Sequence, residues 1–333
     1  MDIDIVVMWV DGNDPEWRKE KVKYSKSKTD DSNSDNRFRD WNLMKYWFRA
    51  IEKFIPWYRR LFFVTWGHTP DFLNLNHPKL QIIRHEEFIP QEYLPTFNSC
   101  TIEMNVHRIE GLSENYILFN DDMFVLKPLK KEYFFRKNLP CTYYSEMPFD
   151  FIGPFETWKM HVVNDLRIIN KYFTKSQCVK HNFGKYINHS YYLKDNIRSL
   201  LMLLTAPDYF TGFKNLHCPN AYCKTTLKEI WDLEPELLHN TSSHKFRDNT
   251  AVNQWLILWW QTASGKFMPK KMNVRIFSID LKSISAIRDS IKKQHYDMIC
   301  LNDPTDDIEF EMLSKELQSA FETILPEKCL FEK

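Results

Sequence analysis

Ile3–Trp9 is a nearly continuous apolar run, the pattern of a strand buried on both faces. It ends in the acidic turn Val10-Asp11-Gly12-Asn13-Asp14-Pro15. Residues 19–36 are charged and serine-rich, which predicts a mobile surface loop. Trp41, Met44, Phe48, Ile51 and Ile55 then recur at helical spacing, and Pro56 stops that helix. Leu61–Trp66 and Leu80–Ile83 predict two further strands. Ile102, Val106 and Ile109 mark another helix, which Gly111 ends. Tyr116–Phe119 is a fourth strand and runs directly into Asn120-Asp121-Asp122.

Alternating strands and helices imply a mostly parallel, Rossmann-like sheet of the α/β class, covered on both sides. Ligands of such sheets bind outside the carboxyl ends of the strands. The acidic turns at Asp11 and Asp121 both fall at such ends, so one crevice can hold both. Beyond residue 150 the pattern changes. Val162–Phe173, Ile197–Leu204, Thr225–Trp231 and Ala251–Trp260 read as helices, Val274–Asp280 as a strand, and Ser283–Lys292 and Glu309–Leu325 as helices again. The chain thus divides into an α/β half, 1–150, and a largely helical half, 151–333, either a separate domain or part of one integrated domain. No internal repeat is visible.

The 333 residues suffice for one large or two modest domains. Lys plus Arg number 45 against 44 Asp plus Glu, a balance that gives no general pull toward nucleic acid or anionic membrane and leaves room only for a local basic patch. The seven cysteines are odd in number and form no CxxC pair, so neither a disulfide framework nor a zinc site is signalled. Free thiols in a reducing compartment fit best. Met1-Asp2-Ile3-Asp4 lacks the basic-then-apolar pattern of a signal peptide, and the apolar runs fall short of the roughly 20 residues that span a bilayer. The expected location is the cytoplasm.

Read alone, each chemical candidate has a bland alternative. Asn120-Asp121-Asp122 suits a hard cation bridging a diphosphate, and equally a solvated acidic turn. Asp11 and Asp14 fit a turn and a helix start. His217, in Asn215-Leu216-His217-Cys218-Pro219, is of the type best suited to accept a proton near neutral pH; a structural role is the default. Arg247 sits in Ser243-His244-Lys245-Phe246-Arg247-Asp248-Asn249, where a guanidinium can grip phosphate, or where Asp248 or Asn249 caps a helix and Arg247 lies on the surface. The Trp255–Trp260 run suits a buried helix better than a sugar platform.

Together these segments resemble the Stealth family of sugar-phosphate transferases of capsule and surface-polysaccharide synthesis, which includes the catalytic part of the lysosomal-targeting phosphotransferase. Asp4-Ile5-Val6-Val7-Met8-Trp9-Val10-Asp11-Gly12-Asn13-Asp14-Pro15-Glu16-Trp17 is similar to the first region of that family. The second runs from Arg39-Asp40-Trp41 through Ile51-Glu52-Lys53-Phe54-Ile55-Pro56-Trp57, Leu94-Pro95-Thr96-Phe97-Asn98-Ser99 and His107-Arg108-Ile109-Glu110-Gly111 to Phe119-Asn120-Asp121-Asp122. The third extends from Asn164 to His217-Cys218-Pro219, and the fourth is Ser243-His244-Lys245-Phe246-Arg247-Asp248.

The resemblance implies a UDP-sugar donor, a sugar 1-phosphate passed to a polysaccharide or lipid-linked oligosaccharide hydroxyl, release of UMP, and Mg²⁺ or Mn²⁺ as cofactor. It implies that Asp121 and Asp122 hold the metal and that His217, Arg247 and Asp122 are catalytic. Asp11, Gly12, Arg49, Asn98, Arg108 and Lys245, within the same motifs, are expected to contact substrate. Two departures stand out: Asn42-Leu43-Met44 replaces the Asn-Glu-Leu of eukaryotic members, and Asp11 stands where some relatives carry asparagine. The lack of a signal or anchor places the chain with the bacterial branch, where peripheral contact with the inner membrane is expected. The rival readings are a conventional glycosyltransferase that releases UDP and an inactive glycan-binding scaffold.

Overall fold

The structure is a computed structural model that describes residues 1–25, 38–149, 156–303 and 309–333. In chain order its elements begin with β1 (Ile3–Met8), α1 (Pro15–Tyr24), α2 (Met44–Phe54), β2 (Leu61–Thr65), β3 (Leu80–Arg84), α3 (Ser99–Asn105), β4 (Asn115–Asn120), β5 (Met123–Val125), β6 (Phe135–Arg136) and β7 (Leu139–Thr142). They continue with α4 (Thr157–Tyr172), α5 (Lys175–Tyr186), α6 (Leu193–Thr205), β8 (Asn220–Cys223), α7 (Lys224–Leu233), α8 (Pro235–Ser243) and α9 (Gln254–Ala263). The last are β9 (Met268–Pro269), β10 (Val274–Ser278), α10 (Ile284–Lys292), β11 (Met298–Asn302) and α11 (Phe310–Ile324).

Among the described residues the main sheet runs β3-β2-β1-β4-β8. The first four strands are parallel, with Ile5 opposite Leu61 and Ile117, and β8 closes the edge antiparallel to β4. This is the Rossmann-like α/β architecture that the alternation predicts. Every residue of β1 is buried, as a strand covered on both faces requires. Helix α2 packs on the sheet through Trp47 against Phe119 and Phe48 against Phe63, ring centroids 5.4 and 5.7 Å apart. A second sheet, β10-β11-β5, has β10 parallel and β5 antiparallel to β11. The second half of the chain therefore contributes an edge strand to one sheet and two strands to the other.

Some local expectations change. Residues 19–24 are not loop but the end of α1, which starts at Pro15 behind the Asp14 cap; Asp14 Oδ1 accepts the Trp17 N–H at 2.8 Å. Residues 26–36 of the expected loop lie outside the described residues. Helix α9 begins at Gln254 and is capped by Asn253, whose Oδ1 accepts the Trp255 N–H, not by Asp248 or Asn249. All seven cysteines are free. No helix of the described residues is long and apolar enough to cross a membrane.

Candidate active site

The order 3-2-1-4 reverses direction between β1 and β4, and Met8 pairs with Asn120 across that seam. The chain leaves β1 into Trp9-Val10-Asp11 and leaves β4 into Asp121-Asp122. At this seam a Rossmann-like sheet opens a crevice, and here a cleft of about 1470 Å³ is lined by Trp9, Asp40, Asp121, Asp122, His217 and Arg247, with aromatic walls from Phe213, Trp255 and Trp259. Phe213 stacks on Trp259 at 5.0 Å, and His217 meets Trp255 edge-on at 6.1 Å. The tryptophans of α9 are thus both buried core and cleft wall.

The acidic floor is electrostatically loaded. Asp121 opens to cleft water, yet protein surrounds it on its other sides. That desolvation, with the charges of Asp122 and Asp40, pushes its pKa up to about 8, and Arg247 offsets part of the rise. Asp40 is raised as well, first by burial and then by Asp11. Asp122 Oδ2 lies 3.9 Å from His217 Nε2 and accepts the Cys300 thiol at 3.2 Å, while its buried Oδ1 has no hydrogen-bond partner among the described residues. The donor atoms of Asp122, His217 and Cys300 lie within 4.8 Å of one another. Burial and the adjacent Asp122 push the Cys300 thiol well up, so the sulfur keeps its proton. The Asp122 carboxylate, with its orphaned Oδ1, and the His217 imidazole remain, beside Asp121. This donor set fits a hard divalent cation.

His217 enters from the loop before β8, held by its own N–H donating to Asn215 Oδ1 at 2.8 Å. Its φ of 38° is left-handed, a conformation that costs a non-glycine residue energy and gathers at functional sites. Arg247 enters from the loop between α8 and α9 and donates to Ser99 Oγ at 3.1 Å. Its charge is felt by Glu103 as well as Asp121. Asp121, Asp122, His217 and Arg247, distant in sequence, share one cleft.

The other expected contacts divide. Asp11 Oδ1 accepts the Asn13 N–H and its own N–H donates to His68 Nε2, both at 2.8 Å. Gly12 is buried against the Phe38 carbonyl, where a Cβ would sit 1.9 Å from the oxygen. Asn98 caps α3 and donates through Nδ2 to the His244 carbonyl at 3.3 Å. Lys245 Nζ donates to the Leu94 carbonyl at 2.9 Å. Asn98 and Lys245 thereby strap together the loops that carry Ser99 and Arg247. None of Asp11, Gly12, Asn98 and Lys245 is itself part of the cleft lining, and neither is Arg49 or Arg108. Arg49 is buried and grips Glu332 at 2.7 and 2.9 Å and the Leu325 carbonyl at 2.8 Å. Arg108 bonds Asn105 Oδ1 and lies 4.8 Å over the Trp231 ring. Both guanidiniums are committed to packing.

Asp40, Glu103, Cys300 and the Arg39–Asp303 pair at 2.7 Å also line or flank the cleft and were not expected from sequence.

Residues 37–142 match the model of Stealth protein conserved region 2, and residues 1–29 match that of conserved region 1. The chain is 39% identical over 336 residues to the capsular polysaccharide phosphotransferase WcwK of Streptococcus pneumoniae, covering 99% of this chain and 98% of the relative. It is 34% identical to the receptor polysaccharide phosphotransferase WefC of Streptococcus oralis, over 99% of each chain. It is also 34% identical to the exopolysaccharide phosphotransferase cps2G of Lactiplantibacillus plantarum, over 100% of this chain and 96% of the relative.

Proposed function

The chain belongs to the Stealth family, and on that premise we propose that it is a phosphotransferase acting on a capsular or surface polysaccharide. It moves a hexose or N-acetylhexosamine 1-phosphate from a UDP-linked donor to a hydroxyl of the repeat unit. The hydroxyl oxygen attacks the phosphorus that bears the sugar. As that P–O bond forms, the bond from phosphorus to the bridging oxygen of the diphosphate breaks. UMP leaves with the electron pair, and a phosphodiester remains in the glycan. His217 takes the hydroxyl proton at Nε2, beside Asp122 Oδ2 3.9 Å away. Arg247 counters charge on the transferred phosphoryl with its planar fork of donors. Asp121 and Asp122 hold Mg²⁺ or Mn²⁺, which when bound neutralises charge on the diphosphate. Residues 1–150 serve donor and metal while 151–333 bring His217 and Arg247, and the two halves work as one unit. The acceptor is a lipid-linked oligosaccharide or polysaccharide at the cytoplasmic face of the membrane.

The observation that carries this proposal is the meeting of two carboxylates, an imidazole and a guanidinium along one cleft at the switch point of the sheet. The names of the relatives support the phosphotransferase class. The experiment is to incubate the protein with a panel of nucleotide sugars, acceptor and Mg²⁺ or Mn²⁺, and to identify the nucleotide released. UMP is expected. UDP would instead reveal a glycosyltransferase, and no donor consumption a scaffold. In the same assay His217→Ala and Arg247→Ala should each lower turnover by about 10²–10⁴-fold without shifting Tm. Near wild-type rates would remove those residues from these roles.

A further inference from the structure

Helix α6 is turned inside out relative to an ordinary surface helix. Its buried side chains are Asp195 and Ser199, whereas Leu193 is 75% and Leu204 71% exposed, and Ile197, Leu200 and Leu201 between them are exposed too. The positions 193, 197, 200, 201 and 204 follow the spacing of one helical face. A soluble helix buries such a stripe. Here the polar side is the anchored one: Asp195 accepts from Lys214 and Arg198 at 2.8 and 2.7 Å, and Arg198 Nε donates to the Glu146 carbonyl at 2.7 Å. The apolar face is extended by Phe183 of α5 and by Tyr192 and Tyr209, all exposed.

Charge surrounds this face unevenly. Lys175 is buried against Glu146 and Arg198 is paired with the buried Asp195. The charges this region shows to solvent are therefore Lys180 and Lys194, the half-buried Lys185, and one exposed acid, Asp208, next to Tyr209, in a chain whose net charge is only +1. Exposed leucines, aromatic rings at the margin and basic residues around them match the surface of a bilayer containing anionic lipid. The same basic rim would set two copies of the face in like-charge repulsion. At 1.5 Å per residue the helix is about 20 Å long, too short for the roughly 30 Å hydrocarbon core. It fits only lying in the interface.

We propose that the apolar face of α6 docks the protein onto an anionic lipid bilayer, with the helix axis in the plane of the membrane surface. The polar side of α6 braces Ser145 and Glu146, and the next residues, Met147 and Phe149, line the cleft, as do Gly212 and Phe213. Docking through α6 would therefore tie the cleft wall to the membrane surface. The benefit to catalysis rests on the acceptor being lipid-linked, but the docking itself does not.

The test is co-sedimentation of the full chain with vesicles, without nucleotide sugar, so that its outcome is independent of the donor chemistry. Phosphatidylcholine vesicles are compared with vesicles containing phosphatidylglycerol. Wild-type protein should bind the anionic vesicles and release them at high salt. Ile197→Glu/Leu201→Glu/Leu204→Glu should weaken binding by about tenfold or more, and Lys180→Glu/Lys194→Glu by roughly fivefold or more per charge. Both variants should melt like wild type. Absence of wild-type binding, equal binding to neutral vesicles, or unchanged binding of the folded triple variant would overturn the proposal. So would a concentration-dependent dimer, abolished by the triple variant, in protein that ignores vesicles.

Discussion

Glu103 projects from α3 into the base of the cleft, where its carboxylate accepts the Gln254 N–H at 2.9 Å and the Gln254 Nε2–H at 3.2 Å. Burial pushes its pKa up to about 7, although those bonds and Arg247 pull the other way. In the unfolded chain the group returns to about 4.3. Between these values the folded protein keeps a proton that the unfolded chain has released, so stability falls as pH rises from about 4.3 to about 7 and then levels. The loss attributable to this group is at most about 4 kcal/mol. Thermal melts between pH 5 and pH 8 should show a smaller decline for Glu103→Gln than for wild type, and parallel curves would mean that Glu103 does not titrate in this window. The contrast with Asp121, Asp122, His217 and Arg247 explains what the sequence made legible at this scale. Those four lie in contiguous polar motifs at strand ends or in loops, where chemistry leaves a local mark. Glu103 sits within an apolar helical pattern, and Asp40 and Cys300 acquire meaning only from neighbours that arrive from distant segments.

Among elements, the four parallel strands were legible to within a residue or so, because each is a mostly apolar run between turn signals, interrupted only by Asp4 in β1 and Gln81 in β3. Strands β8 and β11 were not. Asn220–Cys223 has only four residues, too few to show a period, and Met298–Asn302 borrows its burial from β5 and β10. Helix α5 escaped because Asn182, at φ −136° and ψ 32°, interrupts it and breaks the period. Alongside the Tyr186 hydroxyl bonds to the Thr262 and Ala263 carbonyls, an ion pair anchors α5. Lys175 Nζ, fully buried, donates to Glu146 Oε1 at 2.8 Å and to the Met202 carbonyl of α6 at 2.9 Å. The same carboxylate oxygen accepts the Thr211 N–H at 2.9 Å and its hydroxyl at 3.0 Å. One pair therefore ties α5, α6 and both strips of the cleft wall. Lys175→Met leaves a buried carboxylate without its cation and should cost about 3–5 kcal/mol in urea unfolding. Lys175→Met/Glu146→Gln should lose clearly less than the sum of the two single changes, and strict additivity would show the pair is uncoupled.

Over the whole molecule, the residues after α11 return to the first half of the chain. The Lys333 N–H donates to the Phe72 carbonyl, the Asn74 N–H to the Phe331 carbonyl, and the buried Phe331 ring stacks on His77 at 3.8 Å. Arg49 and Glu332 lock this closure through two parallel hydrogen bonds. Burial opposes ionisation of Glu332, but the Arg49 bonds prevail and hold its pKa below the ordinary carboxylate value. Because Arg49 sits within a motif that also supplies cleft residues, sequence alone assigns it to substrate; the partner that claims it lies 283 positions away. The two roles predict different failures. If Arg49 serves closure, Glu332→Ala strips its guanidinium of the paired carboxylate, leaving Glu322 at 3.3 Å and the Leu325 carbonyl, and should lower stability by roughly 1–3 kcal/mol. The donor KM and the kcat of the protein that remains folded should be unchanged. Arg49→Lys, which keeps the charge but loses the paired geometry, should likewise lower Tm and spare KM. A raised donor KM with an unaltered melting curve would return Arg49 to the substrate site and make its bond to Glu332 a resting contact that the donor displaces.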